Sequence, residues 1–311
     1  MIRISVNTAS TSEVDNLVIA LYYRGTIKCE RVLRSSRPDA SSGTIRAAMP
    51  ARTAEPQPPD RRAVVVLSGG LDSTTMAYVL LARGYSLAAI SFDYGQRHRK
   101  ELEFAGQIAA DLGASWTRID LHAAGLTGIL GGSALTDDAV AVPDGHYADE
   151  SMRITVVPNR NAIMLSIACA LAVTREAEAV AFGAHTGDHF IYPDCRPEFV
   201  RAFATMVNLA VEGLASIEIL TPFLSMTKAD IVTLGNELHV PFERTWSCYK
   251  GGALHCGTCG TCYERREAFA RAHVVDPTVY ASEAGHVQEQ RRDAEHTPSI
   301  LPVASDAPPS L

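Results

Sequence analysis

From Ala63 onward, short apolar runs alternate with longer stretches whose apolar residues recur at helical spacing. AVVVL (63–67), SLAAISF (86–92), WTRIDL (116–121), AVAFGA (179–184) and IEILTPF (217–223) read as strands. Between them the pattern predicts helices from about Ser73 to Gly84 and over 100–113, 161–176, 197–214 and 227–239. An irregular stretch over roughly 123–153 interrupts the alternation. Strands separated by helices of this length imply parallel βαβ units, hence an α/β fold with a doubly wound, mainly parallel, Rossmann-like sheet. Ligands in such sheets sit past the carboxyl ends of the strands. The first strand ends at Leu67, so SGGLDS (68–73) lies where a ligand belongs.

The alternation does not extend to the ends of the chain. From Ser35 to Asp60 the sequence is rich in Ser, Pro, Ala and Arg and is expected to remain unfolded, with a short strand or hairpin between Asn16 and Val32. Alternatively translation begins at Met49, which N-terminal sequencing of the native protein would settle. The expected organisation is a disordered extension or mis-assigned start over 1–60, an α/β domain over 61–240, a metal-binding segment with a terminal helix over 241–285, and a disordered tail over 286–311.

With 311 residues, 47% of them apolar, the chain can bury a full core. A net charge of -7 argues against a large nucleic-acid-gripping surface but leaves room for small anionic substrates, which need only a local nest of amides. No apolar run is expected to span a membrane: LVIALYY (17–23) is too short and no cleavage-site pattern follows it. A cytoplasmic protein is expected, with no membrane or nucleic-acid partner.

Four of the seven cysteines crowd into one stretch: Cys248, Cys256, Cys259 and Cys262 form C-x7-C-x2-C-x2-C. In a chain without an export signal this reads as metal ligation. The short spacings let thiolates reach one tetrahedral ion, and four of them leave no open position, so a structural Zn²⁺ is expected. His255, beside Cys256, is an alternative ligand.

In the loop, Ser68, Gly69 and Gly70 permit a tight turn and close approach to an anion. The unpaired amides of the following helix start favour phosphate, and Ser73 and Thr74 add hydroxyls. Asp72 repels phosphate unless Mg²⁺ or a helix cap is its partner, and an ordinary capped helix start is the plainer alternative. The lysine of a Walker loop is missing.

SGGLDS resembles the pyrophosphate loop of ATP pyrophosphatases, which cleave ATP between its α- and β-phosphates. FDYGQRHRKEL (92–102), VPNRNAIMLSIA (157–168), GAHTGDHFIYPDCRPEF (183–199), TPF with MTKADIV (221–232) and TWSCYKGGALHCGTCGTCYERREAF (245–269) are together similar to the QueC-type 7-cyano-7-deazaguanine synthases. The resemblance runs from about Ala63 to His273. It implies a pyrophosphate-loop ATPase fold and a carbon–nitrogen ligase of queuosine biosynthesis. Such an enzyme adenylates 7-carboxy-7-deazaguanine, lets ammonia displace AMP, then adenylates the amide to release the nitrile. ATP, Mg²⁺ and one all-cysteine Zn²⁺ are implied, as are small-molecule partners and a homodimer. The ammonia would come from solution or another protein, since no glutaminase domain is visible.

Site roles follow from the same resemblance. Leu67, Ser68, Gly69, Gly70, Leu71, Asp72, Ser73, Thr74, Thr75, Met76 and Ala77 would form the ATP loop. Asp72, Arg160 and Lys228 would be catalytic, though a clamp by Asn159 and Asn161 and a solvated helix lysine are the plainer readings of the last two. Asp93, Tyr94 and Gln96 would meet nucleotide or substrate, with a simple turn as the rival, and His185, Asp188, Tyr192, Asp194 and Arg196 would line the deazaguanine pocket. Cys195 reads as a small buried residue rather than a nucleophile. Competing functions are a pyrophosphate-loop tRNA thiolase, a ligase that stops at the amide, and a zinc-ribbon binding module. AMP release dependent on the deazaguanine acid separates the ligase readings from the module.

Overall fold

The computed structural model describes residues 17–23, 26–32, 61–147 and 149–281, in two units covering 1–55 and 56–311. In the first unit β1 (Leu17–Tyr23) and β2 (Thr26–Val32) pair antiparallel, with Leu17 opposite Val32 and Tyr23 opposite Thr26, where a short strand or a hairpin was expected. The other expectations for 1–60, and that for 286–311, lie outside the described residues.

The second unit runs β3 (Arg62–Val66), α1 (Leu71–Ala82), β4 (Ser86–Asp93), α2 (Glu101–Asp111), β5 (Ser115–Asp120), α3 (Asp149–Met152), α4 (Arg160–Thr174), β6 (Ala179–Ala181), α5 (Pro197–Ala210), β7 (Glu218–Leu220), α6 (Lys228–Glu237) and α7 (Gly260–Arg271). All five of its strands are parallel, in the order β5-β4-β3-β6-β7. The chain builds outward from β3 to β5, returns to the centre, and builds outward again through β6 and β7. The order therefore reverses between β3 and β6, and a crevice opens at their carboxyl ends.

Side-chain alternation along β3 divides the core. Ala63, Val65 and Leu67 pack on one face with Met76 and Leu80 of α1, Ile108 of α2, Ile231 of α6 and Phe269 of α7. Val64 packs on the other face with Leu165 and Ala168 of α4 and Phe203 and Val207 of α5. Each aliphatic side chain buried this way contributes ~1.5–3 kcal/mol of transfer free energy, so a one-residue slip of β3 would forfeit both faces together.

The main departures from the sequence reading lie at element ends. α1 starts at Leu71 rather than Ser73, because Gly70, in extended conformation, takes the N-cap position. β6 and β7 are three residues each; Phe182 keeps one bond to β7, its N–H donating to Leu220 O (3.1 Å), while Gly183 and Ala184 leave the ladder, and all three line the crevice. Segment 153–174 is long and apolar enough to cross a membrane, contrary to expectation. Its periodicity explains the difference: Met164, Leu165, Ala168 and Ala172 of α4 bury against the sheet, as a core helix does.

Candidate active site

The loop 68–70 is held by its own hydroxyls. The Gly70 N–H donates to Ser68 Oγ (3.1 Å), the Ser68 N–H donates to Ser73 Oγ (3.1 Å), and the two hydroxyls lie 3.0 Å apart. Gly69 has φ +84°, and a Cβ there would lie 2.2 Å from the Glu101 carbonyl oxygen. The loop therefore rests directly on α2. No side chain caps α1, so its first-turn amides remain available to an anion. Gly183 brings the end of β6 against the same turn; a Cβ on it would lie 3.3 Å from Ser73 N.

These elements frame a cavity of about 230 Å³. At its loop end α6 projects Lys228 between two other helices. Lys228 Nζ lies 2.6 Å from Asp72 Oδ2 of α1 and 3.3 Å from Glu264 Oε2 of α7. Burial works against the ammonium, but the carboxylates of Asp72 and Glu264 outweigh it and hold the lysine firmly protonated. Burial likewise pushes Asp72 up, yet Lys228 and His185 bring its carboxyl below the usual range. Glu264 goes the other way, because burial exceeds what Lys228 returns. His185 Nδ1 accepts the Gly187 N–H (3.0 Å), and its Nε2 faces Lys228 Nζ at 3.3 Å, Asp188 Oδ2 at 3.6 Å and Asp72 Oδ2 at 4.0 Å.

Asp72, Asp188 and Glu264 thus share one lysine, and Asp72 Oδ1 is buried with no partner among the described residues. A hard divalent cation suits that orphaned oxygen, and free amides beside it suit phosphate. Nucleotide with its metal ion fits this end of the cavity.

The opposite wall is aromatic. Tyr94, Tyr147, Tyr192 and Tyr249 line it, and Arg160, at the start of α4, donates to the Tyr94 hydroxyl (3.1 Å). No carboxylate lies within ion-pair distance of Arg160 among the described residues. Burial opposes its charge, but the surrounding phenols and Asp194 keep the guanidinium protonated. Tyr192 shares a hydrogen bond with Thr155 (2.9 Å). Cys195 also reaches the cavity, its Sγ accepting from Asn161 Nδ2 (3.2 Å), and burial raises its thiol well above the usual range.

Of the expected ATP-loop residues, Leu67, Ser68, Gly70, Leu71, Asp72 and Ser73 line the cavity. Thr74 and Thr75 are buried, and Met76 and Ala77 pack in the core face of α1. Of the expected substrate residues, Tyr94, Asp188 and Tyr192 reach the cavity. Asp93 does not: it is fully buried and pairs with Arg99 and Arg118, each at 2.5 Å. Gln96 clamps the turn after β4, accepting from the Tyr94 N–H (2.9 Å) and donating to Phe92 O and Glu101 Oε1 (3.1 Å each). Asp194 accepts the Asn161 N–H at the start of α4 (3.0 Å), and Arg196 donates to His189 O (2.6 Å), outside the cavity. His185 acts beneath the surface through its turn. Glu101, Tyr147, Trp246, Ser247, Tyr249 and Glu264 line the cavity without having been singled out for it. Tyr147 lies in the irregular stretch and had no signal, and the others had only their position within the motifs, since nothing in spacing tells a lining glutamate from a solvated one.

The cysteines gather as expected. Cys248, Cys256, Cys259 and Cys262 place their sulfurs within 4.8 Å of one another, with Cys256 and Cys262 at 3.8 Å. Thiolates ~2.3 Å from a tetrahedral zinc stand about 3.8 Å apart, so the group fits. Backbone N–H groups of Cys256, Thr258 and Cys259 donate to its sulfurs at 3.2–3.4 Å, supporting their negative charge. His255 is turned away; its Nε2 accepts the Ser247 N–H (3.0 Å) and its ring packs on Trp246.

Comparison with known proteins covers the same ground. The family model described as queuosine biosynthesis protein QueC matches residues 62–273. A 7-cyano-7-deazaguanine synthase from Rhizobium leguminosarum bv. trifolii (strain WSM2304) is 58% identical over 219 residues, 70% of this chain and 92% of its own. Another from Sinorhizobium fredii (strain NBRC 101917 / NGR234) is 56% identical over 236 residues, 74% of this chain and 99% of its own. Among solved structures, the U34-tRNA thiolase NcsA from Methanococcus maripaludis aligns over 79% of this chain and 77% of its own, with 16% identity and a TM-score of 0.37. The family match takes in the glycine loop, the lysine of α6 and all four cysteines, and the chain belongs to the QueC family.

Proposed function

We propose that this protein is a 7-cyano-7-deazaguanine synthase, making the nitrile from 7-carboxy-7-deazaguanine, ammonia and ATP. The observation that carries the reading is the SGGLDS loop facing Lys228 where the sheet order reverses, in a chain whose relatives at 56% and 58% identity bear that name.

A carboxylate resists ammonia because its oxygen is a poor leaving group and its charge repels nucleophiles. Transfer of AMP to that oxygen removes both obstacles and releases pyrophosphate. Ammonia then forms the C–N bond as the C–O bond breaks and AMP departs. A second ATP adenylates the amide oxygen, and loss of that AMP leaves the nitrile. In this reading the α1 amides with Ser68 and Ser73 receive the departing pyrophosphate, and Lys228 spans the phosphates. Asp72 would hold the magnesium brought with ATP, whose charge would offset that of the phosphates. Arg160 meets the substrate carboxylate or the α-phosphate, and the tyrosine wall takes the flat heterocycle. Catalysis then rests on positioning and fixed charge. Zinc is structural, and the protein works as a cytoplasmic homodimer on diffusing small molecules.

The test is incubation of the zinc-loaded protein with 7-carboxy-7-deazaguanine, ammonium and Mg-ATP, with products followed by mass spectrometry. Nitrile, AMP and pyrophosphate are expected. Amide as the end product would make it an amide ligase, and untouched ATP would overturn the reading.

A further inference from the structure

The proposed reaction removes protons as well as oxygen. Ammonia carries three N–H bonds and the nitrile nitrogen none. One proton leaves as the amide forms and the remaining two as the amide becomes nitrile. Adenylation of the acid requires no such transfer. A base with a lone pair open to the cavity must serve the nitrogen steps.

Four carboxyl groups line the cavity: Asp72, Glu101, Asp188 and Glu264. Asp72 and Glu264 bond Lys228, and Asp188 Oδ2 accepts the His185 N–H (3.2 Å), so these three belong to the phosphate end. Glu101 stands apart. Its backbone lies against Gly69, which places it beside the loop. Its Oε1 accepts from Gln96 Nε2 (3.1 Å), and Gln96 is itself fixed by Tyr94 N–H and Phe92 O. Among the described residues no donor reaches its other oxygen, Oε2. His98 Nε2 lies 3.5 Å from Oε1, and the Arg160 guanidinium and Tyr94 phenol are the other ionisable groups that bear on it. Burial pushes the Glu101 carboxyl up to about 8, with Gln96 and Arg160 drawing it partly back. Burial also keeps His98 uncharged, lowering it to about 3.

We propose that Glu101 is the catalytic base that takes the N–H protons in amide and nitrile formation, oriented by Gln96. This rests on the synthase reading above. In amide formation a Glu101 oxygen takes a proton from the attacking nitrogen while the tetrahedral adduct expels AMP. In nitrile formation one proton leaves the O-adenylated amide to give the neutral imidate, and Glu101 then takes the last N–H proton; that N–H electron pair becomes the third C–N bond as the C–O pair leaves with AMP. A carboxyl ionising near neutrality can release each proton to solvent before the next transfer. A carboxylate gripping the amino-pyrimidinone edge would use both oxygens side by side. Gln96 already holds one of them at 3.1 Å and leaves Oε2 as the oxygen turned to the reaction.

The experiment compares two half-reactions in the full-length, zinc-loaded protein. Glu101→Gln is expected to slow conversion of the amide to the nitrile ~100-fold or more while acid-dependent ATP–pyrophosphate exchange stays within about threefold of wild type. Glu101→Asp, which keeps a carboxylate, recovers part of the lost rate. Equal loss in both half-reactions with a raised KM for the acid would make Glu101 a binding group and overturn the proposal, as would an unchanged nitrile rate. Should the variants not fold, wild type alone decides. Its single-turnover conversion of the amide to the nitrile, which uses no ammonia, rises with pH through about 8, whereas exchange does not; a shared limb, or none, overturns the assignment. If wild type forms no nitrile at all, the synthase reading itself fails and this inference with it.

Discussion

Gly69 is confined twice over, by its positive φ and by the Glu101 carbonyl that a Cβ would strike. Gly69→Ala therefore strains the backbone and pushes the loop off α2, at a cost of roughly 2 kcal/mol or more. The midpoint of urea unfolding is expected to fall, and an unchanged midpoint would contradict the packing described. Asp93 makes a second prediction at this scale. Burial raises its carboxyl, but hydrogen bonds from Arg99 and Arg118 outweigh it and hold the group below the usual range. A carboxyl depressed by folding stabilises above its unfolded pKa, ~3.9, and loses that contribution as pH falls through its folded value. Wild-type stability should thus drop more steeply below about pH 4 than that of Asp93→Asn, read from urea midpoints across pH. The sequence placed Asp93 at the end of a strand, where a ligand was expected, but the structure buries it away from the cavity. Nothing in the sequence could tell that two arginines, one of them on the neighbouring strand β5, would claim the side chain first.

At the scale of elements, the cysteine segment does more than close a metal site. Trp246, Ser247, Tyr249, Thr261 and Glu264 bring one wall of the cavity from this part of the chain. Arg265 of α7 is fully buried, donating to Thr245 Oγ1, Ser247 Oγ and Phe242 O and pairing with Asp276. Four thiolates brought together without an ion would repel one another, so metal and segment are expected to order together. Removing zinc with a strong chelator should abolish the proposed reaction while most far-UV dichroism survives, because the sheet and helices α1, α2, α4, α5 and α6 carry no ligand; only the start of α7 does. Trp246 reports the event: it is 3% exposed against 40% for Trp116, so its fluorescence should shift red as the wall loosens. A spectrum unaffected by chelation would separate the wall from the metal. The C-x7-C-x2-C-x2-C spacing made the ion legible, but nothing local to it indicated that the segment faces the glycine loop.

For the molecule as a whole, alternating strands and helices in the sequence were enough for the parallel sheet and its two covered faces, since a fully buried strand such as β3 leaves a continuous apolar run. Strand lengths were less legible. The apolar character of 182–184 and 221–223 continues past the ladder because those residues still pack, though no longer as strand. Half of the cavity was readable for the same reason: the loop and Lys228 sit in compact motifs, whereas Glu101, Tyr147 and Glu264 meet only through tertiary folding.

The Trp246 N–H donates to the Gly69 carbonyl across 2.9 Å. One peptide group thus ties the backbone of the anion loop to the backbone that enters the cysteine cluster. Any free energy by which ATP tightens the loop is then shared with the metal, and linkage makes the exchange reciprocal. A nonhydrolysable ATP analogue should slow zinc escape to a chromophoric chelator, and the zinc-free protein should bind the analogue more weakly. Equal escape rates with and without the analogue would show the two ends to be independent. A slower escape would mean that the backbone tie carries part of the nucleotide's binding energy into the cysteine segment.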